Sequence, residues 1–429
     1  MLSALKHRNF RLFFFGQGIS LIGTWMQQVA MIWLVYRLSD SEFLLGLVGF
    51  CSLGPSFLLA PVAGVFSDRW NLHRTIIATQ TLAMLQAAAL VALTLGGVIA
   101  VWHILLLSVL LGLVNAFDVP ARQAFLVQMV EGRQSLPSAI GLNSSMFNGA
   151  RLVGPAIAGL LIDAAGEWLC FFVNAVSYVA VLVALLAMRV TPPARARPPQ
   201  RVLHELREGL VYAFGSPAIR ALLLLLAVVS LAAMPLSVLM PVFAKEVLHG
   251  GPGTLGMLTA AMGLGALGGA LVLAARKSVL GLGRLIAWAS SVVGLGLFGF
   301  ALSGELWLSL VLLAITGFAM MMGMAASNTI LQTIVEDDKR GRVMSLYTMA
   351  FLGTAPLGSL LAGFLASHVG AVPTVQAAGA VCLAGSLVFA RRLPALRRVV
   401  HPIYQRIGVL PEATSAVPPP PEWTAASEE

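Results

Sequence analysis

The sequence predicts an all-α membrane protein in which twelve transmembrane helices form two pseudo-symmetric six-helix bundles. Three observations carry this reading. The residues are 58% hydrophobic and only 10% charged, with a mean hydropathy of +0.89, whereas a soluble globular chain carries roughly 25% charged residues. A dozen apolar segments recur along the chain, each near the roughly 20 residues needed to cross a hydrocarbon core of about 30 Å. Finally, Pro155 and Pro356 fall at matching places in the fifth segment of each half.

Numbered in chain order, the spans are expected at about 11–36, 43–66, 75–96, 102–126, 137–162, 168–189, 218–243, 254–275, 285–303, 306–333, 343–366 and 373–390. They use most of the chain and leave no room for a second soluble domain. The N-terminal run MLSALKHRNFRLFFFGQGISLIG places basic residues before an apolar stretch. That stretch is long, contains Gln17 and is followed by no small-residue cleavage site, so it reads as a retained first span and not as a secretory signal. The chain then divides into an N-terminal bundle (1–190), a connector (191–217), a C-terminal bundle (218–392) and a tail (393–429). The Pro/Arg-rich start of the connector resists helix formation. Its later part, 202–214, reads as an amphipathic helix lying on the membrane face. The tail is Pro-rich and polar and reads as disordered.

A net charge of +9 would suit a nucleic-acid binder, but the distribution of charge points elsewhere. With both termini in the cytoplasm, all 27 Lys and Arg except Arg37, Arg151 and Lys245 fall in the cytoplasmic pieces. Lys and Arg collect on that side of membrane proteins, so the excess is a topology signal for a multi-pass protein of the cell (inner) membrane. Cys51, Cys170 and Cys382 lie far apart in apolar segments, without metal or redox spacing. The seven histidines are scattered over loops and span ends, and no Ser-His-Asp, metal or phosphate-cradling arrangement emerges. The reading therefore includes no cofactor, no metal and no enzymatic activity; a multi-span membrane enzyme would need clustered catalytic groups.

Several stretches carry a family resemblance. After span two comes GVFSDRWNLHRTI, where Gly64, Asp68, Arg69 and Arg74 resemble the loop signature of the major facilitator superfamily, with Asn71 and Leu72 in place of its glycine and one basic residue. GARLVGPAIAG in span five resembles the Gly-Pro signature associated with drug–proton antiporters, and KRGRVMSL (Lys339–Leu346) is similar to the usual start of span eleven. NAFDVPARQAFLVQMV and RNFRLFFFGQGISLIGTWMQQVAMIWLVYRLSDS resemble the bacterial enterobactin-exporter-like branch. The resemblance covers about residues 5–392 and implies two bundles rocking about a central pocket.

It also implies a cytoplasmic clasp. The Asp68 carboxylate would meet the positive N-terminal end of span eleven, near Arg340, Gly341 and Arg342, with Arg122 as a further partner. In the family, spans one, four, seven and ten line the cavity. Span one carries Gln17, Thr24 and Gln28 at helical spacing; the other lining spans would add Asn115, Ser230, Met234, Met321 and Asn328. Methionines suit adaptable apolar surfaces, although a cluster of them in a helix is more often packing.

Span five holds the unusual combination. Gly149, Gly154 and Gly159 allow close helix approach, and Pro155 removes a backbone donor and bends the helix. Packing of span five against its mate accounts for these. It does not account for Arg151, because Leu352 occupies the matching place in the second half. A central arginine costs about 2.5–3.5 kcal/mol on insertion scales and usually lines a cavity or meets a partner, so the balance favours function. Asp118 is the one carboxylate clearly within a span. It is either the proton-coupling group or an interhelical structural bond near Arg122. Together these features describe a monomeric secondary transporter in membrane lipid, exporting an amphipathic small molecule (a drug or siderophore) against entering protons. Lipid or metabolite transport is the alternative.

Overall fold

The computed structural model describes residues 3–130, 135–190, 202–276 and 278–406; the side chains of 60–69, 202–206, Asp337, Val399 and Arg406 lie outside that description. Among the described residues there is no strand, and twelve helices are long and apolar enough to cross a membrane. They run Arg8–Ser39, Glu42–Arg69, Leu72–Leu95, Val101–Gln128, Leu136–Ala165, Glu167–Leu186, Pro217–Val247, Pro252–Ala274, Leu282–Leu302, Leu306–Ile334, Asp338–Val369 and Ala371–Arg406.

Local chemistry sets several of these boundaries. Asn71 caps span three, its Oδ1 accepting the Arg74 amide at 3.1 Å, which gives the residue a structural use at the N-cap. Spans five and six are joined through Gly166 at φ +88°, and spans eleven and twelve through Gly370 at φ +90°. Side-chain-bearing residues avoid that conformation. The same tight junction thus recurs at the same place in each half.

The helix packing repeats as well. In the first half, span one packs on five and six, two on four, and three on four and six. In the second, span seven packs on eleven and twelve, eight on ten, and nine on ten and twelve. The two halves meet where span five crosses span eight and span two crosses span eleven. Shifting every span number by six converts one crossing into the other, as a pseudo-twofold axis requires. Small residues make both crossings close. A Cβ on Gly159 would lie 3.0 Å from Gly253 Cα and 3.2 Å from Gly256 Cα, and one on Gly363 would lie 2.7 Å from Gly46 Cα.

Three departures from the sequence expectations stand out. Span seven is interrupted at Met234–Pro235 and ends in a π-helical turn, Phe243–Val247; span eleven contains another, Met349–Gly353. Span twelve continues as helix to Arg406, past the expected start of the tail at 393. The extension has a physical reason: Leu396, Val400, Ile403 and Tyr404 recur at helical spacing and pack on the core of the second bundle. Residues 407–429 lie outside the described residues, as does the start of the connector. The connector helix itself runs Val202–Gly215 and docks on span eleven, where Arg342 Nη1 meets Glu208 Oε2 at 2.6 Å.

Candidate functional site

The bundles are closed at the face opposite the connector. There the Tyr36 hydroxyl of span one donates to the Glu246 carboxylate of span seven. Lys245 Nζ lies 2.5 Å from Asp40 Oδ1 and 5.1 Å from the centroid of the Tyr36 ring. The π turn carries both Lys245 and Glu246, and its extra residue per turn lets two consecutive side chains reach the end of span one. Nearby, Arg37 grips Glu167 with two hydrogen bonds, 2.8 and 3.1 Å, joining spans one and six.

From this lock the helix crossings run inward and then stop. Span eight follows span five from Gly159 to Gly263, where a Cβ would lie 3.2 Å from the Arg151 carbonyl oxygen and 3.3 Å from Leu152 Cα. Less than a turn further along span five, a Cβ on Gly149 would meet nothing within 4 Å. Span two follows span eleven similarly, through Gly46 on Gly363, Gly49 on Ser359 and Phe57 on Gly353. The lock and the crossings thus close one end of the cleft between the bundles, and at Gly149 the crossing gives way to open space.

Arg151 stands at the apex of that cleft, on span five between span one and span eight. Its guanidinium carbon lies 5.6 Å from the centroid of the Trp25 ring, and Trp25 meets Phe147 edge-on at 5.8 Å. Gly154 lets the tryptophan sit there, since a Cβ would fall 2.6 Å from Trp25 Cβ. Arg151 is partly buried, and among the described residues no carboxylate pairs with it.

Asp118 is 2% exposed and lies in a different polar cluster, inside the first bundle. Its Oδ1 accepts from Thr79 Oγ1 at 2.7 Å and Gln80 Nε2 at 2.9 Å, and its Oδ2 meets Arg122 Nη2 at 2.9 Å. The two intramembrane charges singled out in the sequence are thus not partners of each other. The first bundle also holds buried polar atoms without a hydrogen-bond partner: Gln17 Oε1, Ser20 Oγ, Gln80 Oε1 and Ser108 Oγ. A second network, Asn174 to Gln27 to Gln86 at 2.8 Å each, ties spans six, one and three.

The expected cavity residues are not gathered into one polar lining. Gln17 and Ser230 are buried, and the Ser230 hydroxyl donates to the Phe351 carbonyl. Thr24 bonds the Ser20 carbonyl at 2.9 Å, and Asn328 accepts from Gln332 at 2.6 Å. Gln28 is exposed, whereas Asn115, Met234 and Met321 are partly so. Of the clasp residues, Arg122 is engaged by Asp118 and Arg342 by Glu208. Gly341 has open space around its Cα, and Arg74 and Arg340 are exposed. The side chains of Gly64, Asp68 and Arg69 lie outside the described residues. Sequence reasoning missed the far-face lock, although a signal existed: Arg37 and Lys245 were exceptions to the cytoplasmic clustering of basic residues, and both form ion pairs at that face.

Two pseudo-symmetric six-helix bundles around a central cleft define a secondary-transporter architecture. The chain belongs to the major facilitator superfamily, and residues 1–402 match its family described as transmembrane secretion effectors. It is a multi-pass membrane transporter of the efflux type. Its relatives include the staphyloferrin A transporter of Staphylococcus aureus, 28% identical over 88% of this chain and 94% of that one. The multidrug efflux pump Tap of Mycolicibacterium fortuitum is 30% identical over 83% and 87%, and macrolide efflux protein A of Streptococcus pyogenes 23% over 85% and 92%. Among solved structures, a bacterial homolog of the human lysosomal transporter Spinster, inward-facing and unoccupied, aligns with TM-score 0.65 at 16% identity, covering 93% of this chain and 98% of that one. A POT family transporter in complex with 5-aminolevulinic acid aligns with TM-score 0.70 at 11% identity, covering 91% and 96%.

Proposed function

We propose that this protein exports an amphipathic small molecule across the cell membrane by alternating access, driven by protons moving inward. The observation that carries the reading is the lock at the far face, with the span five and eight crossing giving way to open space at Gly149 towards the connector. The clustering of basic residues supports a cytoplasmic connector, and on this reading the state is inward-open. Cargo enters from the cytoplasm and the bundles rock. The Tyr36–Glu246 and Lys245–Asp40 contacts part, and the Asp68 clasp forms against the start of span eleven. The relatives named for a siderophore, for multiple drugs and for macrolides support a cargo in that range.

Arg122 couples the proton to this cycle. In the inward-open state it occupies Asp118, as observed. In the outward-open state it turns to Asp68, leaving Asp118 to take a proton from outside; when the clasp breaks, Arg122 returns and displaces it inward. Uptake into inverted vesicles of a panel of dyes, drugs and siderophores, with and without a pH gradient, tests both parts. Gradient-dependent accumulation is expected, and Asp118→Asn should abolish that component while membrane insertion persists. An unchanged pH dependence in this variant would remove Asp118 from the coupling role.

A further inference from the structure

We infer that Arg151 and the Trp25 face form a binding site for an oxyanion, so that the cargo is an amphipathic anion with a carboxylate beside an apolar body. The inference rests on the export reading above and narrows its substrate class.

The isolation of Arg151 comes first. Of the other cations, Arg122 has Asp118, and at the far face Lys245 has Asp40 and Arg37 has Glu167. Arg151 has none among the described residues, only the Trp25 ring. A guanidinium on an aromatic face is held by the ring quadrupole while its N–H fork stays free. That fork matches two oxygens of a planar oxyanion.

Position supplies the second argument. The spans five and eight crossing ends at Arg151, and span five is open less than a turn towards the connector, at Gly149. An arginine serving only to join helices would sit inside the crossing against carbonyls or an acid. This one sits where the crossing gives way to the cleft and keeps part of its surface accessible. The packing plan does not demand it, since the proline-aligned place in the second half holds Leu352, 48% exposed. Beside the guanidinium, Trp25 and the half-exposed Phe147 form an aromatic corner for an apolar body. A cation and an aromatic corner at one point select a ligand with both characters.

The test uses dansyl-undecanoic acid and its methyl ester as probes, with the full-length protein in nanodiscs for binding and in inverted vesicles for flux. The wild type should bind the acid at least tenfold tighter than the ester. Arg151→Gln should weaken the acid at least tenfold and change the ester by less than twofold, while Arg151→Lys should fall between. Ester binding reports that the variants are folded; if Arg151→Gln fails that control, the acid preference of Arg151→Lys decides. No acid preference in the wild type, or one that survives loss of the guanidinium, overturns the site. Binding preference without flux of any probe would sink the export reading and leave the site standing. Flux of ester and cationic dyes without an acid preference would do the reverse.

Discussion

The two bundles share one packing plan and fill it differently. Gly112, where span four crosses span two, matches Gly317, where span ten crosses span eight. This register places Asp118 on Gly323 and Arg122 on Ser327. Matching the first residues of spans three and nine, Leu72 and Leu282, places Gln80 on Ser290. In the first bundle these positions hold a buried ion pair with its hydrogen bonds. In the second, Gly323, Ser327 and Ser290 line a cavity, together with Ser230, Met320 and Phe351, which has room for about one water. The helix arrangement therefore tolerates either filling. A buried ion pair is weak evidence for stability in itself, and here the second bundle packs the same way without one. On the proposed reading, the Asp118–Arg122 pair serves the transport cycle.

The largest expected effect breaks this comparison on its polar side. Asp118→Ala strands the Arg122 guanidinium and should destabilise the protein by about 3–5 kcal/mol, read as a fall in thermal unfolding temperature in detergent. The double variant Asp118→Ala/Arg122→Leu removes both charges and should recover much of that loss without recovering proton-driven flux. A double variant that transports normally would make the pair a relic of packing.

A smaller effect is expected where the bundles agree. Gly159→Val and Gly363→Val each force a side chain into a backbone contact near 3 Å, at the two symmetry-related crossings. Overpacking of this kind costs about 1–3 kcal/mol, and the two costs should match. A large difference between them would show that only one crossing holds the halves together in this state.

How much of this could be read beforehand differs between fold and site. The spans and the repeat were legible because length, hydropathy and the Pro155–Pro356 match are local signals. The continuation of span twelve was not legible: the helix runs through Pro394 and Pro402 and keeps its apolar face to Tyr404. Arg151 stood out in the sequence because the repeat supplied a control, Leu352, at the matching place. The lock was not, because Tyr36 and Glu246 are 210 positions apart and nothing local pairs them. The Gln27–Gln86–Asn174 network was missed for the same reason: one amide in an apolar helix announces no partner, and these meet over separations of 59 and 147 positions.

The lock sharpens the comparison in another way, because span one and span seven are themselves symmetry mates. Glu246→Gln and Lys245→Met each remove one charged partner of span one. Hydrogen bonds to charged groups contribute about 1.5–3 kcal/mol, so Glu246→Gln should shift the inward-open to outward-open ratio by about tenfold or more. The exposed Lys245–Asp40 pair contributes about 0–1 kcal/mol, and Lys245→Met should shift it less. Thiol labelling of single cysteines introduced at the cleft, applied from each side of the membrane, reads that ratio. Unchanged accessibility would mean that the glycine crossings alone close the far face.

The smallest effect probes the empty side. A methyl on Gly323 would lie 3.4 Å from Ala289 Cβ, an ordinary contact, and it would project at the edge of the cavity. Replacing a helical glycine by alanine gains about 0.8–1.0 kcal/mol of intrinsic helix preference. Gly323→Ala should therefore be neutral or stabilising by up to about 1 kcal/mol, with flux unchanged, while Asp118→Ala at the matching position is the most damaging change in the set. Unfolding temperature and vesicle flux measured on the same preparation separate the outcomes. A Gly323→Ala protein that is more stable yet transports poorly would show that the second bundle needs its void to let spans seven, nine and ten slide. The asymmetry would then set a coupling site against a moving joint, and would no longer set function against plain packing.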